Sequence, residues 1–253
     1  MDPQHTQGRA RVMMLGALSG MAREIARIYA TRGADLGLLG SSAERLAALS
    51  ADLQVRGAGR IKTLALDLSA PASYEAVIDE FVDEMGGIDV LILAYGILGD
   101  QTRALGDLQY AAEILCTDFT SAALWLLAAA KRMRRTGTIA VFSSVAGDRG
   151  RQSNYVYGSA KGGLTVFAQG MAHELAATGP RMIIVKPGFV ITPMTAGMKR
   201  SGPLWIGARH AARIVVNAID RKRGPVLYVP WFWRWIMLVI RLVPARIFHR
   251  TKL

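Results

Sequence analysis

TIAVFSSVAGDRGRQSNYVYGSAKGGL, residues 138–164, is the stretch of the chain from which the fold can be inferred. Its first five residues, Thr138 to Phe142, form an apolar run of the kind that makes a buried strand. A polar loop follows, and a helix is expected from about Asn154. A strand, a loop and a helix in this order make one β-α unit. Ser144 would then stand at the carboxyl end of the strand, where open parallel sheets bind ligands.

Three polar side chains of this unit are predicted to meet in one crevice. Tyr157 and Lys161 are four residues apart, so in a helix they share one face, and Ser144 precedes Tyr157 by thirteen residues. A phenol titrates near pH ~10, and a nearby lysine cation is expected to lower that pKa. Such a phenol can give a proton to a carbonyl that is being reduced. Tyrosine and lysine also occur at this spacing in purely structural helices. Motifs elsewhere in the chain are therefore needed to distinguish a catalytic pair from a structural one.

Elsewhere, apolar runs alternate with longer amphipathic stretches, which is typical of β-α units on a parallel sheet. We predict a doubly wound, Rossmann-type α/β domain of about seven strands with helices on both faces. The predicted strands cover residues 11–15, 35–39, 61–66, 88–93, 138–142, 182–186 and 226–229. The first predicted helix follows the glycine-rich turn and ends near residue 32. The other predicted helices cover 42–57, 72–85, 108–135 (one helix or a bent pair), 154–178 and 208–221. This domain would span 1–230, followed by a C-terminal helix or tail, 231–253.

The composition, 51% apolar and 20% charged over 253 residues, is that of an ordered globular protein. The single cysteine, Cys116, excludes an intramolecular disulfide and indicates a reducing, cytoplasmic compartment; we expect it to be buried. The net charge of +12 is concentrated in the last quarter, because twelve Lys and Arg but one acid follow Met194. This excess predicts an anionic partner, either a membrane surface or a phosphate-bearing ligand. No nucleic-acid-binding motif accompanies the charge, so we expect no nucleic acid.

The turn after the first strand is predicted to bind a dinucleotide. Gly16 and Gly20 allow a tight turn and a close backbone approach, and Ala22 replaces a third glycine. With Ser19 and Met21, this turn would present the N–H groups of the next helix to a pyrophosphate. Small residues also occur at strand-to-helix turns that bind nothing.

The ends of the second and third strands would hold the adenosine half of that cofactor. No acid follows the second strand, whereas Ser41, Ser42 and Arg45 could accept a 2′-phosphate, so NADPH is favoured over NADH. Ser42 could instead only cap its helix. Asp67 is placed to meet an adenine edge, with a role in a turn or cap as the alternative.

Taken together, these motifs resemble the short-chain dehydrogenase/reductase family over roughly residues 11–230. The carrying residues are Gly16-xxx-Gly20-x-Ala22, Asp67-Leu68, Ser144, Tyr157-xxx-Lys161 and Pro187-Gly188-x-Val190-x-Thr192. The resemblance implies an NAD(P)-dependent oxidoreductase acting on an alcohol or ketone.

The resemblance also implies residue roles. Tyr157 would be the general acid/base, Ser144 would orient the substrate carbonyl, and Lys161 would bind the nicotinamide ribose and depress the tyrosine pKa. Thr192 and the backbone after Pro187 would contact the nicotinamide carboxamide and the pyrophosphate. The other cofactor-binding positions implied are Leu68, Ala94, Gly96, Gly188 and Val190.

Two positions depart from the family pattern. The strand-four motif Asn-Asn-Ala-Gly is here Leu93-Ala94-Tyr95-Gly96, and the family's fourth catalytic residue, an asparagine, aligns with Asp118. In the family this asparagine acts largely through its main chain, holding a water in a proton relay. Asp118 could keep that role, but its charge near Lys161 would favour the ammonium and change the pH profile.

Within the family, the chain most resembles decaprenylphosphoryl-2-keto-β-D-erythro-pentose reductases. Residues 94–100, residues 147–157 and the tail carry this likeness, which implies synthesis of a polyprenylphosphoryl arabinose for a cell wall or glycolipid. Arg149 and Arg151 would then contact the substrate phosphate, unless they belong to a solvated loop. The alternatives are a reductase of another amphiphilic ketone, such as a 3-ketoacyl lipid, and a non-catalytic nucleotide-binding scaffold.

The tail segment WFWRWIMLVIRLV, between Pro230 and Pro244, is too short for the roughly 20 residues that span a bilayer. Its tryptophans (Trp231, Trp233, Trp235) and its arginines predict an interfacial helix on the inner face of the cytoplasmic membrane. It could instead pack on a partner subunit, since we expect a homo-oligomer, or over the substrate pocket. Residues 194–207 are expected to form a lid, and no residue spacing indicates a metal site.

Overall fold

A computed structural model describes residues 8–200 and 202–251, and a parallel sheet lies at its centre. The sheet has seven strands, and every neighbouring pair is parallel. In chain order the strands are β1 (Arg11–Leu15), β2 (Asp35–Gly40), β3 (Ile61–Ala65), β4 (Val90–Leu93), β5 (Thr138–Phe142), β6 (Arg181–Pro187), β7 (Phe189–Ile191), β8 (Trp205–Gly207) and β9 (Val226–Val229). The large sheet has the order β3-β2-β1-β4-β5-β6-β9, and β7 and β8 form a separate pair. The predicted doubly wound α/β class is confirmed.

Helices cover both faces of the sheet, which is why its central strands are continuous apolar runs rather than alternating ones. The helices are α1 (Gly20–Ala30), α2 (Ala43–Val55), α3 (Tyr74–Met85), α4 (Gln101–Gly106), α5 (Leu108–Leu115), α6 (Ser121–Ala130), α7 (Tyr155–Leu175), α8 (Ala208–Asp220), α9 (Trp233–Leu242) and α10 (Ala245–Phe248). One apolar layer joins the sheet to α1, α2 and α8, and the other joins it to α3, α6 and α7.

The long apolar segment before β5 is interrupted by a π-helical turn, Cys116–Thr120, between α5 and α6. Leu108–Ala130 as a whole is the one helical segment in the described part of the chain that is long and apolar enough to cross a membrane. Helices in the core of a protein share this length and composition, and this segment packs in the core. Its Trp125 is fully buried and donates to the Leu68 carbonyl at 2.8 Å. Cys116, expected to be buried, is exposed, because Asp118 occupies the inner side of the turn.

The C-terminal helix α9 packs on the domain through one face. Trp233 and Met237 are buried there beside Val145, whereas Trp231 and Trp235 are exposed. The prediction that all three tryptophans meet the membrane interface is therefore wrong for Trp233. Residues two apart in a helix point roughly 200° apart, so Trp233 and Trp235 cannot share one face of α9.

A small second sheet brings together the two ends of the segment that was expected to be a lid. β7 pairs with β8 in parallel, and the rings of Phe189 and Trp205 stack with their centroids 5.0 Å apart. These three-residue strands were not predicted from the sequence. The lid function of the segment between them stays a prediction.

Candidate active site

A cavity of about 710 Å³ opens at the carboxyl ends of the central strands, and most of the predicted site residues line it. Those residues are Gly16, Ser19, Gly20, Met21, Ser41, Arg45, Asp67, Leu68, Ala94, Gly96, Ser144, Arg151, Tyr157, Lys161, Pro187, Gly188, Val190 and Thr192. Four predicted positions, Ala22, Ser42, Asp118 and Arg149, lie outside the lining. Residues far apart in sequence therefore share one cavity, since parallel strands end at the same edge.

The β1–α1 turn forms one end of the cavity. Gly16 has φ +87°, and a Cβ there would lie 2.6 Å from the Cβ of Tyr95, so only glycine fits. Ser19 caps α1, its Oγ accepting from the Ala22 N–H at 3.3 Å, which places Ala22 behind the lining. Gly20 and Met21, in the first turn of α1, face the cavity. The free N–H groups of such a turn and the tight glycine cradle fit a dinucleotide pyrophosphate.

Ser41 and Ser42, which follow β2, have different roles. Ser41 and Arg45 line the cavity, whereas the Ser42 Oγ accepts from the Arg45 backbone N–H at 3.3 Å and caps α2. Ser42 thus has the capping role that was its alternative. Asp67 also lines the cavity, and its Oδ1 accepts from the N–H and the hydroxyl of Ser69 at 2.8 and 2.7 Å.

Ser143, which the sequence analysis passed over, joins the end of β5 to α7. Its buried hydroxyl donates to the Lys161 carbonyl at 2.9 Å and shares a hydrogen bond with the Thr165 hydroxyl at 2.7 Å. The Thr165 hydroxyl oxygen also lies 2.9 Å from that carbonyl, and its single proton serves either the carbonyl or the Ser143 oxygen at one time. These bonds fix the turn of α7 that carries Lys161 against the strand that leads to Ser144.

The Tyr157 phenol is buried at the inner end of the cavity, with the Lys161 ammonium 5.8 Å from its ring centroid. Burial raises the pKa of this phenol above its ordinary value; the Lys161 charge lowers the pKa, the Asp118 charge raises it, and a hydrogen bond with Ser144 lowers it. The net direction is upward. Lys161 thus lowers this pKa as expected, but burial outweighs the cation, so the phenol pKa stays above its ordinary value.

Asp118 lies behind Lys161 and pairs with it in the interior. Its Oδ1 is 2.8 Å from the Lys161 Nζ, and its Oδ2 accepts from the Ile97 N–H at 3.2 Å. Burial alone would lower the pKa of Lys161, but the charge of Asp118 reverses this, so the pKa is raised and the side chain stays an ammonium. Gly96 makes room for the pair, since a Cβ at this residue would overlap the Asp118 carboxylate.

Arg149 contacts α9 rather than the cavity. Its Nη1 donates to the carbonyl oxygens of Ile240, Arg241 and Val243 at 2.6, 3.0 and 2.7 Å, and its guanidinium lies 3.9 Å from the Phe248 ring centroid. A cation at these carbonyls satisfies the end of a helix. The assignment of Arg149 to a substrate phosphate is therefore corrected to a helix-capping role.

Arg151, in contrast, does line the cavity. Its Nη2 donates to the Val145 carbonyl at 3.4 Å, and its buried Nε has no hydrogen-bond partner among the described residues. Burial lowers the pKa of this guanidinium, and the charge of Asp148 opposes that shift. Asn154 also lines the cavity and has a buried, unpartnered Oδ1. This part of the cavity therefore offers unsatisfied polar groups.

A buried polar cluster holds the loop that follows Ser144. Asp148 pairs with Lys186 at the end of β6 and accepts from the Tyr228 hydroxyl at 2.8 Å. Burial, with the Asp148 carboxylate, raises the pKa of Tyr228 to about 12. This cluster was not predicted, because its members come from three separate segments with no common motif.

Comparisons with known proteins agree with this geometry. A family model described as short chain dehydrogenase matches residues 10–201. An uncharacterised oxidoreductase of Mycobacterium tuberculosis is 40% identical over 246 residues, covering 96% of this chain and 97% of the relative. The 3-oxoacyl-[acyl-carrier-protein] reductase of Escherichia coli is 31% identical over 215 residues, covering 82% and 86%. The crystal structure of actinorhodin polyketide ketoreductase superposes with a TM-score of 0.76 at 24% identity, covering 89% and 97%.

Proposed function

The chain belongs to the short-chain dehydrogenase family, whose oxidoreductase activity it shares, and from this premise we propose that it reduces a ketone to a secondary alcohol with NAD(P)H. One observation carries the proposal. Ser144, Tyr157 and Lys161 converge on a cavity whose other end is the glycine turn of β1 and α1. A proton donor and a nucleotide cradle therefore face the same space.

The cofactor would be held by the glycine turn, by Ser41 and Arg45 at the end of β2, and by Gly188 and Thr192 after β6. When bound, NAD(P)H would supply the hydride that adds to the carbonyl carbon. We favour NADPH, because Arg45 and the Ser41 hydroxyl line the cavity where an acid would select NADH. The structurally similar polyketide ketoreductase was solved with NADPH, which supports this choice.

The proton that completes the alcohol would come from Tyr157. Its phenol donates to the carbonyl oxygen while the Ser144 hydroxyl donates a hydrogen bond to the same oxygen. The phenolate left on Tyr157 is stabilised by the Lys161 ammonium and is then reprotonated from solvent. Asp118 keeps Lys161 charged, because its carboxylate outweighs the burial that would otherwise favour the neutral amine.

We propose an amphiphilic ketone with an anionic group as the substrate. The cavity lining combines the Arg151 guanidinium with apolar side chains, which are Ile97, Leu98, Met194 and Met198. The first candidate is the 2-keto-pentose of a polyprenylphosphoryl sugar, which would give polyprenylphosphoryl arabinose. A 3-ketoacyl lipid is the second candidate, favoured by the relative that is named as a 3-oxoacyl reductase.

The experiment compares these two substrates and an uncharged ketone by loss of nicotinamide absorbance, with NADH and NADPH side by side. Arg151→Ala is expected to raise KM for an anionic substrate about 10- to 100-fold, since a hydrogen bond to a charged group contributes ~1.5–3 kcal/mol. The uncharged ketone is the control and should keep its KM. An unchanged KM for every anionic substrate would remove Arg151 from the site, and no oxidation of cofactor with any ketone would contradict the reductase itself.

A further inference from the structure

The face of α9 that points away from the domain is apolar and exposed. It consists of Trp235, Leu238, Val239 and Leu242, which retain between 44% and 72% of their accessible surface, and we call it the outer face of α9. At 3.6 residues per turn these four positions form one stripe roughly 100° wide. Trp231 before the helix and Ile247 after it are also exposed and extend the apolar surface. A contiguous exposed apolar stripe of this kind marks a surface that contacts a partner or a membrane.

Positive charge borders this stripe. Arg234 and Arg241 lie on α9, and Arg246 and Arg250 follow it; all four are exposed, and none is in an ion pair within the described part of the chain. No acid follows Asp220 in the sequence. The two helical arginines lie along one side of the apolar stripe, and the other two follow its C-terminal end. An apolar stripe flanked by cations is the pattern of a helix that lies in the headgroup region of an anionic bilayer.

We propose that the outer face of α9 docks on an anionic lipid surface. The helix would lie in the plane of the membrane, with Trp231 and Trp235 at headgroup level and the arginine side chains reaching the phosphates. Its ten residues, about 15 Å long, cannot span the hydrocarbon core, which is ~30 Å thick. The inference is independent of the proposed reaction, because it rests on the surface of α9 and not on the cavity.

A second copy of the chain fits this face less well than lipid does. In a two-fold symmetric contact the same patch meets itself. Arg234, Arg241, Arg246 and Arg250 of one copy would then approach the same four residues of the other, with no carboxylate from this segment between them. Like charges brought together at an interface cost several kcal/mol. Lipid phosphates supply the missing negative charge.

The inner face of α9 connects the proposed membrane contact to the cavity. Trp233 packs against the Gly188 backbone, so closely that a Cβ on Gly188 would overlap the indole. Arg149 joins the last turn of α9 to the loop between Ser144 and Tyr157. A membrane bound at the outer face would therefore lie one helix thickness from the cavity wall. This places the site where a lipid-linked ketone can enter from the bilayer.

The test is sedimentation of the full chain with phosphatidylcholine vesicles and with vesicles that also contain phosphatidylglycerol, with no ketone present. We expect binding to the anionic vesicles. The double variant Trp235→Ser/Val239→Ser should lose it. The control, Val55→Ser/Leu108→Ser, removes two apolar side chains that are more exposed than Trp235 and Val239 but lie on other helices, and it should bind like the wild type.

A second variant keeps the apolar stripe and removes charge. Arg234→Ala/Arg241→Ala should lower partitioning onto anionic vesicles about fivefold per arginine, since each basic residue near such a surface contributes ~1 kcal/mol. Circular dichroism establishes that each variant is folded. If the serine variant is not folded, the arginine variant alone decides the test.

Three results would overturn the proposal. One is a wild-type chain that does not bind anionic vesicles, and another is binding that both variants leave unchanged. The third is a dimer, seen by light scattering, that the Trp235→Ser/Val239→Ser variant dissociates, because the outer face would then belong to a second copy. Since no ketone is present, a failure here is separate from a failure of the reductase proposal.

Discussion

Asp118→Asn tests the effect of the Asp118 charge, because it restores the neutral asparagine that the family pattern has at this position. The amide has the shape of the carboxylate and can still accept from the Ile97 N–H, but it carries no charge. In the reduction Tyr157 must be protonated, so the rate falls as pH rises through the pKa of the phenol. Asp118 raises that pKa, and removing its charge should therefore move the basic limb of the pH profile to lower pH.

The distances set the size of the shift. The Asp118 Oδ1 is 2.8 Å from the Lys161 Nζ, which is 5.8 Å from the Tyr157 ring centroid, so the carboxylate lies within about 9 Å of the ring. At an effective dielectric constant of ~20, two unit charges at this separation interact by about 2 kcal/mol. One pKa unit corresponds to ~1.4 kcal/mol, so the limb should move down by about one pH unit or slightly more.

The assay is the pH dependence of kcat/KM for ketone reduction, measured for the wild type and for Asp118→Asn. Asp148→Asn is the matched control, because Asp148 is also a buried carboxylate paired with a lysine, Lys186, but it is not among the charges that shift the Tyr157 pKa. The control should leave the limb in place. A limb that stays fixed or moves up in Asp118→Asn would refute the assigned coupling between Asp118 and Tyr157.

Two further substitutions test how the site is held. Ser143→Ala should destabilise the fold by about 1–3 kcal/mol, because it removes the buried hydrogen bonds to Lys161 and Thr165; urea unfolding measures the loss, and an unchanged midpoint would contradict it. Gly188→Ala should weaken NADPH binding and lower Tm, because the added Cβ overlaps Trp233 and displaces α9 from the cavity wall; wild-type values of both in calorimetry would show that the contact is not needed.

The parts of the site that the sequence predicted are those governed by local geometry. Ser144 ends a strand, and Tyr157 and Lys161 share a helix face, so spacing alone brings the three together once the sheet is parallel. The same holds for Gly16 and Gly20 in the β1–α1 turn. Periodicity also predicted the large sheet, because strands buried on both faces are continuous apolar runs.

The departures from the predictions have three separate causes. Arg149 donates to carbonyl oxygens more than ninety residues later, and a backbone carbonyl leaves no signal in a sequence. The Tyr157 pKa depends on the depth of burial, which spacing does not give. Trp233 was grouped with its neighbours by composition, although helical periodicity separates it from Trp231 and Trp235.

The central claim, that Tyr157 supplies the proton in a ketone reduction, is tested most directly by Tyr157→Phe. The measurement is loss of nicotinamide absorbance after enzyme, NADPH and a ketone accepted by the wild type are mixed, together with the Kd for NADPH. The phenyl ring fills the same space but has no proton to donate, so turnover should fall by at least ~100-fold while the Kd stays close to the wild-type value. A variant that turns over the ketone at the wild-type rate would contradict the mechanism.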